Sequence, residues 1–167
     1  EPLKTQQHME MISLIAKAGS HGEEIAIRQG ATEYTYHQLL RRSAEVAVNL
    51  LGSKTDLHES HVAYLIPGGF DYVTVQWGIW RAGGVTVPLS LSATEPELEY
   101  AITDSDAQRV ITNAEFSTKL APLCQRLGLP LTVVDEIPEC ESSTLPTIAP
   151  NRRAMILYTS GTTNKPK

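Results

Sequence analysis

From His8 onward, polar and apolar positions alternate between a helical period and short continuous apolar runs. His8 to Ala18 places Met11, Ile12, Ile15 and Ala18 on one helical face, with Gly19 as the stop. Glu24 to Arg28 reads as a strand, Gln29-Gly30 as a turn, and Glu33-Tyr34 as a second short strand. Thr35 and Gln38 have capping-box spacing; the helix they open lines up Tyr36, Leu39, Leu40, Ser43, Ala44, Ala47 and Leu51 and ends at Gly52. His61 to Ile66 is a buried-type strand stopped by Pro67-Gly68-Gly69. Phe70 to Ala82 is a helix apolar nearly all round, and past Gly83-Gly84 the strand Val85 to Leu89 runs into proline. A second capping box, Thr94 with Glu97, opens a helix to about Asp104 with Pro96 early in it, where a missing N–H costs little. A strand at Arg109 to Thr112, a helix bearing Phe116, Leu120, Leu123 and Leu127, and a strand at Leu131 to Val134 form another unit. Asp135 to Asn151, with three prolines and little periodicity, reads as an exposed connection ahead of a last strand, Ala154 to Tyr158.

Strands alternating with helices of roughly 10–15 residues predict an α/β fold: βαβ units around a mainly parallel sheet flanked by helices. In such sheets ligands bind beyond the carboxyl ends of the strands. The segment after Tyr158 leaves its strand at that end.

At 167 residues, 41% hydrophobic and 20% charged, the chain can bury a core without disulfides or metal. A net charge of -5 with scattered Lys and Arg excludes a nucleic-acid surface. No apolar run approaches the ~20 residues of a membrane span. Cys124 and Cys140 are too few for a disulfide framework and lack metal spacing, which points to a reducing, cytoplasmic compartment, with Cys124 packing in a helix. The N-terminus has no signal-peptide layout and no Met at position 1, so residues 1–8 read as a tail or a vector-derived remnant, and 9–167 as the α/β unit.

The last stretch, Ile156 to Lys167, reads ILYTSGTTNKPK. Thr159, Ser160, Thr162 and Thr163 supply hydroxyls, Gly161 allows a tight turn, Lys165 and Lys167 bring positive charge, and Pro166 stiffens the approach to Lys167. Hydroxyls and backbone N–H groups around a glycine turn make a concave donor surface for phosphate oxygens. The stretch is not a Walker A loop, since no second glycine precedes a Lys-Ser or Lys-Thr pair, and it is not a G-x-G-x-x-G loop.

Tyr158-Thr-Ser-Gly-Thr-Thr163 and Pro166-Lys167 resemble the signature loop of the adenylate-forming (AMP-binding) superfamily, with Asn164 where the family has glycine. Asn tolerates a left-handed backbone better than most residues, so the turn can survive the change. Tyr34 to Leu39, Ala82 to Leu89 and Glu99 to Ala107 resemble further family segments in the family's order, and Trp80 to Leu89 is most similar to the acyl-CoA synthetase branch, malonyl-CoA synthetase-like members in particular. The resemblance implies an ATP-dependent enzyme that activates a carboxylate as an acyl-adenylate and passes it to coenzyme A. It implies Thr159, Ser160, Gly161, Thr162, Thr163 and Lys167 as contacts to the ATP phosphates and their Mg²⁺, with Asn164, Lys165 and Pro166 shaping the loop. The family's adenine pocket, magnesium-binding glutamate, hinge and catalytic lysine belong downstream of Lys167. The chain is therefore expected to be the first subdomain of a larger enzyme, to hold no catalytic residue, to be inactive alone, and to self-associate through the face left for the rest.

The rival reading is a short, non-catalytic binding module of the same fold, supported by Asn164; a small kinase is disfavoured, because no Walker B-type acidic strand follows. Plainer roles are expected elsewhere. Trp77 and Trp80 pack the core, Asp104 and Asp106 cap a helix end, and the five histidines serve surfaces or caps. Tyr34 and Tyr36 pack a hairpin and a helix start, and Glu95, Glu97 and Glu99 favour a helix N-terminal half.

Overall fold

The computed structural model describes residues 12–140 and 144–159. Residues 1–8, the first turn of the helix expected from His8, and Ser160 to Lys167 lie outside the described residues.

The helix α1 (Ser13–Gly19) buries Ile15 and Ala18. An antiparallel hairpin follows, β1 (Ile25–Gln29) with β2 (Thr32–Thr35), in the register Arg28 to Glu33 and with an irregularity between Ile25 and Ile27. The capping box forms as expected: the Gln38 N–H donates to Thr35 Oγ1 (3.2 Å), and the Thr35 N–H donates to Gln38 Oε1 (2.8 Å). It opens α2 (Tyr36–Leu51).

The main sheet holds β3 (His61–Leu65), β4 (Val85–Pro88), β5 (Arg109–Thr112) and β6 (Leu131–Val133), all parallel, in the order β4-β3-β5-β6. Between them run α3 (Phe70–Arg81), α4 (Glu95–Asp104) and α5 (Ala114–Leu127). Strand alternation sorts the core into two layers. Val62, Tyr64 and Ile111 face Val46, Leu50, Val75 and Ile79 of α2 and α3. Ala63, Leu65, Val87 and Val110 face Leu98, Ile102, Leu120 and Leu123 of α4 and α5, where Cys124 is also buried. Helices cover both faces, which is why these strands read as unbroken apolar runs. The expected α/β architecture is the observed one.

Two expectations need correction. The connection after β6 is not simply exposed: it starts with a 3-10 turn, Val134–Glu136, and buries Val134, Ile137 and Ile148. The Arg42 guanidinium donates to the carbonyls of Val134 (2.7 Å) and Ile137 (3.0 Å), tying this turn to α2. Packing without a regular element leaves no period in the sequence. The strand expected at Ala154 to Tyr158 is reduced to one parallel bridge, Met155 against Thr86. A ladder needs successive bridges, and this segment has the sheet on one side only, with Met155 and Leu157 38% and 63% exposed.

Candidate functional site

That bridge places residues 154–156 beside β4, at the edge of the sheet. The Thr86 N–H donates to the Ala154 carbonyl (3.0 Å), and the Ile156 N–H donates to the Thr86 carbonyl (2.9 Å). Backbone pairing here is short, and side chains add to it. The Ala154 carbonyl also accepts the buried Thr86 hydroxyl (3.0 Å) and the Trp80 indole N–H (2.7 Å). Trp80 is therefore more than core packing: its ring packs against the cluster that holds Leu39 and Trp77 while its N–H fixes the edge segment. Only the indole's capacity as a donor hinted at this in the sequence.

Just upstream, two ion pairs hold the approach. Arg152 grips Asp56 with two hydrogen bonds (2.8 and 2.6 Å), and Arg153 reaches Glu59 through its backbone N–H (2.8 Å) and its Nε (3.0 Å). The Arg152 hydrogen bond, helped by the His58 backbone N–H, holds the Asp56 carboxyl below the usual carboxylate range. These contacts span more than 90 residues of sequence, so no local pattern announces them.

Downstream, the Tyr158 hydroxyl donates to Asp104 Oδ2 (2.7 Å), and its ring stands edge-on to Tyr100 (centroids 6.3 Å apart). Burial, then this hydrogen bond, pushes the phenol up to about 12. The capping role expected of Asp104 is corrected here. Backbone bonds from Ser105 to Ala101 and from Asp106 to Thr103 close the end of α4, and the Asp104 carboxylate serves Tyr158.

A cleft of about 460 Å³ opens between the loop after β4, the first half of α4, and Tyr158-Thr159. Ser90 and Ser92 share a hydrogen bond in its wall (2.9 Å), and Lys119 donates to the carbonyl of Ala93 on its rim (3.1 Å). Glu97 lines it too, but its carboxylate is engaged by the Thr94 N–H (2.7 Å) and hydroxyl (2.8 Å). Of the six residues expected to contact phosphate and the three expected to shape the loop, only Thr159 falls among the described ones, at this cleft. Ser160, Gly161, Thr162, Thr163, Asn164, Lys165, Pro166 and Lys167 lie outside the described residues. Among the described residues no group of three or more His, Cys, Asp or Glu is placed to hold a metal ion, and no helix is long and apolar enough to cross a membrane.

The parallel edge segment is followed in the sequence by a hydroxyl- and lysine-rich stretch. The model of the AMP-binding enzyme family matches residues 14–167, and the chain belongs to that family. Among the relatives it resembles, the malonate–CoA ligase ACSF3, mitochondrial, of Mus musculus is 37% identical over 93% of this chain and 29% of its own length. The Homo sapiens protein of the same description is 32% identical over 92% and 29%. The ATP-bound crystal structure of MatB from Rhodopseudomonas palustris superposes with a TM-score of 0.77 at 25% identity, covering 92% of this chain and 33% of that one. The chain thus spans about three-tenths of the length of the curated relatives it matches.

Proposed function

We propose that the protein to which this chain contributes is an ATP-dependent acid–CoA ligase, and that residues 159–167 are its phosphate-binding loop on the α/β unit 9–167. One observation carries the reading. The edge segment leaves β4 at the carboxyl end of a parallel sheet, and the next residues read Thr-Ser-Gly-Thr-Thr, in a chain of the AMP-binding enzyme family. The reaction runs in two transfers. A substrate carboxylate oxygen attacks the α-phosphorus of ATP, an acyl-adenylate forms and pyrophosphate leaves; the thiol of coenzyme A then takes the acyl group and AMP leaves.

In this scheme Thr159, Ser160, Thr162 and Thr163 donate hydroxyls to the phosphates, Gly161 lets the backbone approach, and Lys167 balances charge on the departing pyrophosphate. Asn164, Lys165 and Pro166 shape the turn. Mg²⁺ neutralises part of the triphosphate charge when bound. The loop offers it hydroxyls and no carboxylate, so no step is assigned to metal ligands of this chain. Malonate is the first acid to try, because the similar mouse and human proteins are described as malonate–CoA ligases. Two free cysteines favour a reducing compartment. The cytoplasm is proposed, against the mitochondrion named for the mouse and human relatives, and fractionation of tagged protein decides between them. Self-association is assigned to the outer side of 154–158, where Met155 and Leu157 are exposed, and sedimentation tests it.

The direct test is ATP titrated into the full-length protein with excess Mg²⁺, followed by its malonate-dependent exchange of pyrophosphate into ATP. Lys167→Ala should weaken ATP about tenfold, as loss of one charge-assisted phosphate contact does. A full-length protein that ignores ATP returns the rival, a non-catalytic module.

A further inference from the structure

We infer that Asp104 is a positioning residue for the phosphate-binding loop, acting through the hydroxyl of Tyr158 at the point where the loop leaves the sheet. The inference rests on the proposed ATP reading of residues 159–167.

Backbone bonds tie Ala154 and Ile156 to Thr86 of β4. The proposed loop begins at Thr159, three residues further along the chain. Between the two, Tyr158 adds a side-chain tether. Its hydroxyl sits 2.7 Å from Asp104 Oδ2, its ring meets Tyr100 edge-on, and its apolar part packs on the core layer formed with α4 and α5.

The anchor is rigid. Leu98, Ala101 and Ile102 bury α4 in that layer, and the His61 ring hydrogen-bonds to the Ser105 carbonyl, fastening the helix end to the first residue of β3. Asp104 is also out of place by local rules. A carboxylate in the last turn of a helix faces the negative end of the helix dipole. The backbone already closes that end without it. A residue that opposes its local preference and serves a contact 54 residues away has a positional explanation and lacks a local one.

The geometry predicts the behaviour of three variants in the full-length protein, with Mg-ATP as probe. Asp104→Ala and Tyr158→Phe each remove the hydrogen bond and should weaken ATP about 3- to 10-fold, the span of one lost hydrogen bond. Their melting temperatures should stay within about 2 °C of wild type, because both partners are partly exposed. Asp104→Asn keeps an acceptor oxygen and should recover affinity to within about twofold. A purely structural role would lower melting temperature in step with affinity and would give no rescue by Asn. Wild-type binding with all three variants unchanged overturns the positioning role and leaves the ATP reading standing; Asn behaving like Ala overturns it as well. A full-length wild-type protein that does not bind ATP takes down the loop reading and the positioning role together.

Discussion

The strand β3 and the edge segment 154–158 lie two places apart in one sheet and are held by different means. β3 pairs with β4 on one side and β5 on the other, and its side chains from Val62 to Leu65 are buried in both core layers. The edge segment has one bridge, and its position depends on Trp80, Thr86, the Arg152–Asp56 and Arg153–Glu59 pairs, and Tyr158–Asp104. Backbone pairing between buried strands makes a scaffold whose loss is global. Side-chain tethers make a segment that can be loosened without unfolding the rest, and regions that meet ligands are drawn from that less stable end.

The sharpest way to break the contrast is to damage the interior. Ile111→Ala empties a fully buried position on β5 and should cost about 2–5 kcal/mol, lowering the melting temperature by roughly 5–15 °C. Gly78→Ala belongs beside it: an added Cβ would lie 2.5 Å from Val46 Cγ1 and 3.0 Å from the Ser43 carbonyl, where α3 crosses α2. Overpacking of that kind costs about 1–3 kcal/mol. Both should raise hydrogen exchange throughout the sheet. A change confined to one helix would mean that the layers do not unfold as a unit.

Trp80→Phe tests the other side. It keeps most of the ring and removes one of three donors to the Ala154 carbonyl, at about 0.5–1.5 kcal/mol. Exchange of the Ile156 amide should quicken while the amides of β3 and β5 keep their protection. Equal acceleration everywhere would make the edge part of the core unit.

This contrast also explains what the sequence made legible. Helices with caps and stops, Thr35 with Gln38 and Gly52 after Leu51, announce themselves because their signals are local. The continuous apolar run from Val62 declares a doubly covered strand. The family loop was legible as a motif from Tyr158 to Lys167. Its supports were not. Trp80, Asp56, Glu59 and Asp104 meet residues 152–158 only through tertiary contacts, and each has an ordinary local role that pattern reading assigns first. The connection 134–151 misled for a related reason: Ile137 and Ile148 are buried one at a time, with no repeat to count.

Acid should loosen the edge before the interior. The Asp56 carboxyl titrates below its ordinary range because Arg152 holds it ionised. A lowered folded-state value contributes stability that is present above the unfolded carboxylate value, near 4, and is lost as pH falls through the lower one. Wild type should therefore exceed Arg152→Ala by a constant margin at neutral pH, and the margin should shrink below about pH 4. The pair is partly exposed, so the margin is small. Melting curves of the two proteins across pH 2–7 measure it, and a margin that grows in acid would contradict the assignment.

The smallest effect separates two tyrosines. Tyr64, fully buried in β3, has its phenol pushed far up by burial. Tyr158, half-buried at the edge, is pushed up only to about 12. Raised folded-state values mean that stability is whole below the unfolded phenol value, near 10, and is lost as pH climbs through the folded one. An alkaline ultraviolet titration should show one phenol ionising late and reversibly while far-ultraviolet dichroism stays native, and Tyr158→Phe should delete that step. The Tyr64 phenol should appear only with unfolding, since ionising it inside the core requires opening the sheet. Asp104→Asn removes the carboxylate charge beside Tyr158 and should move the late step toward 10 without touching Tyr64. If Tyr158 also ionised only on unfolding, the edge would be bound as firmly as the interior, and the division between scaffold and tethered segment would fall.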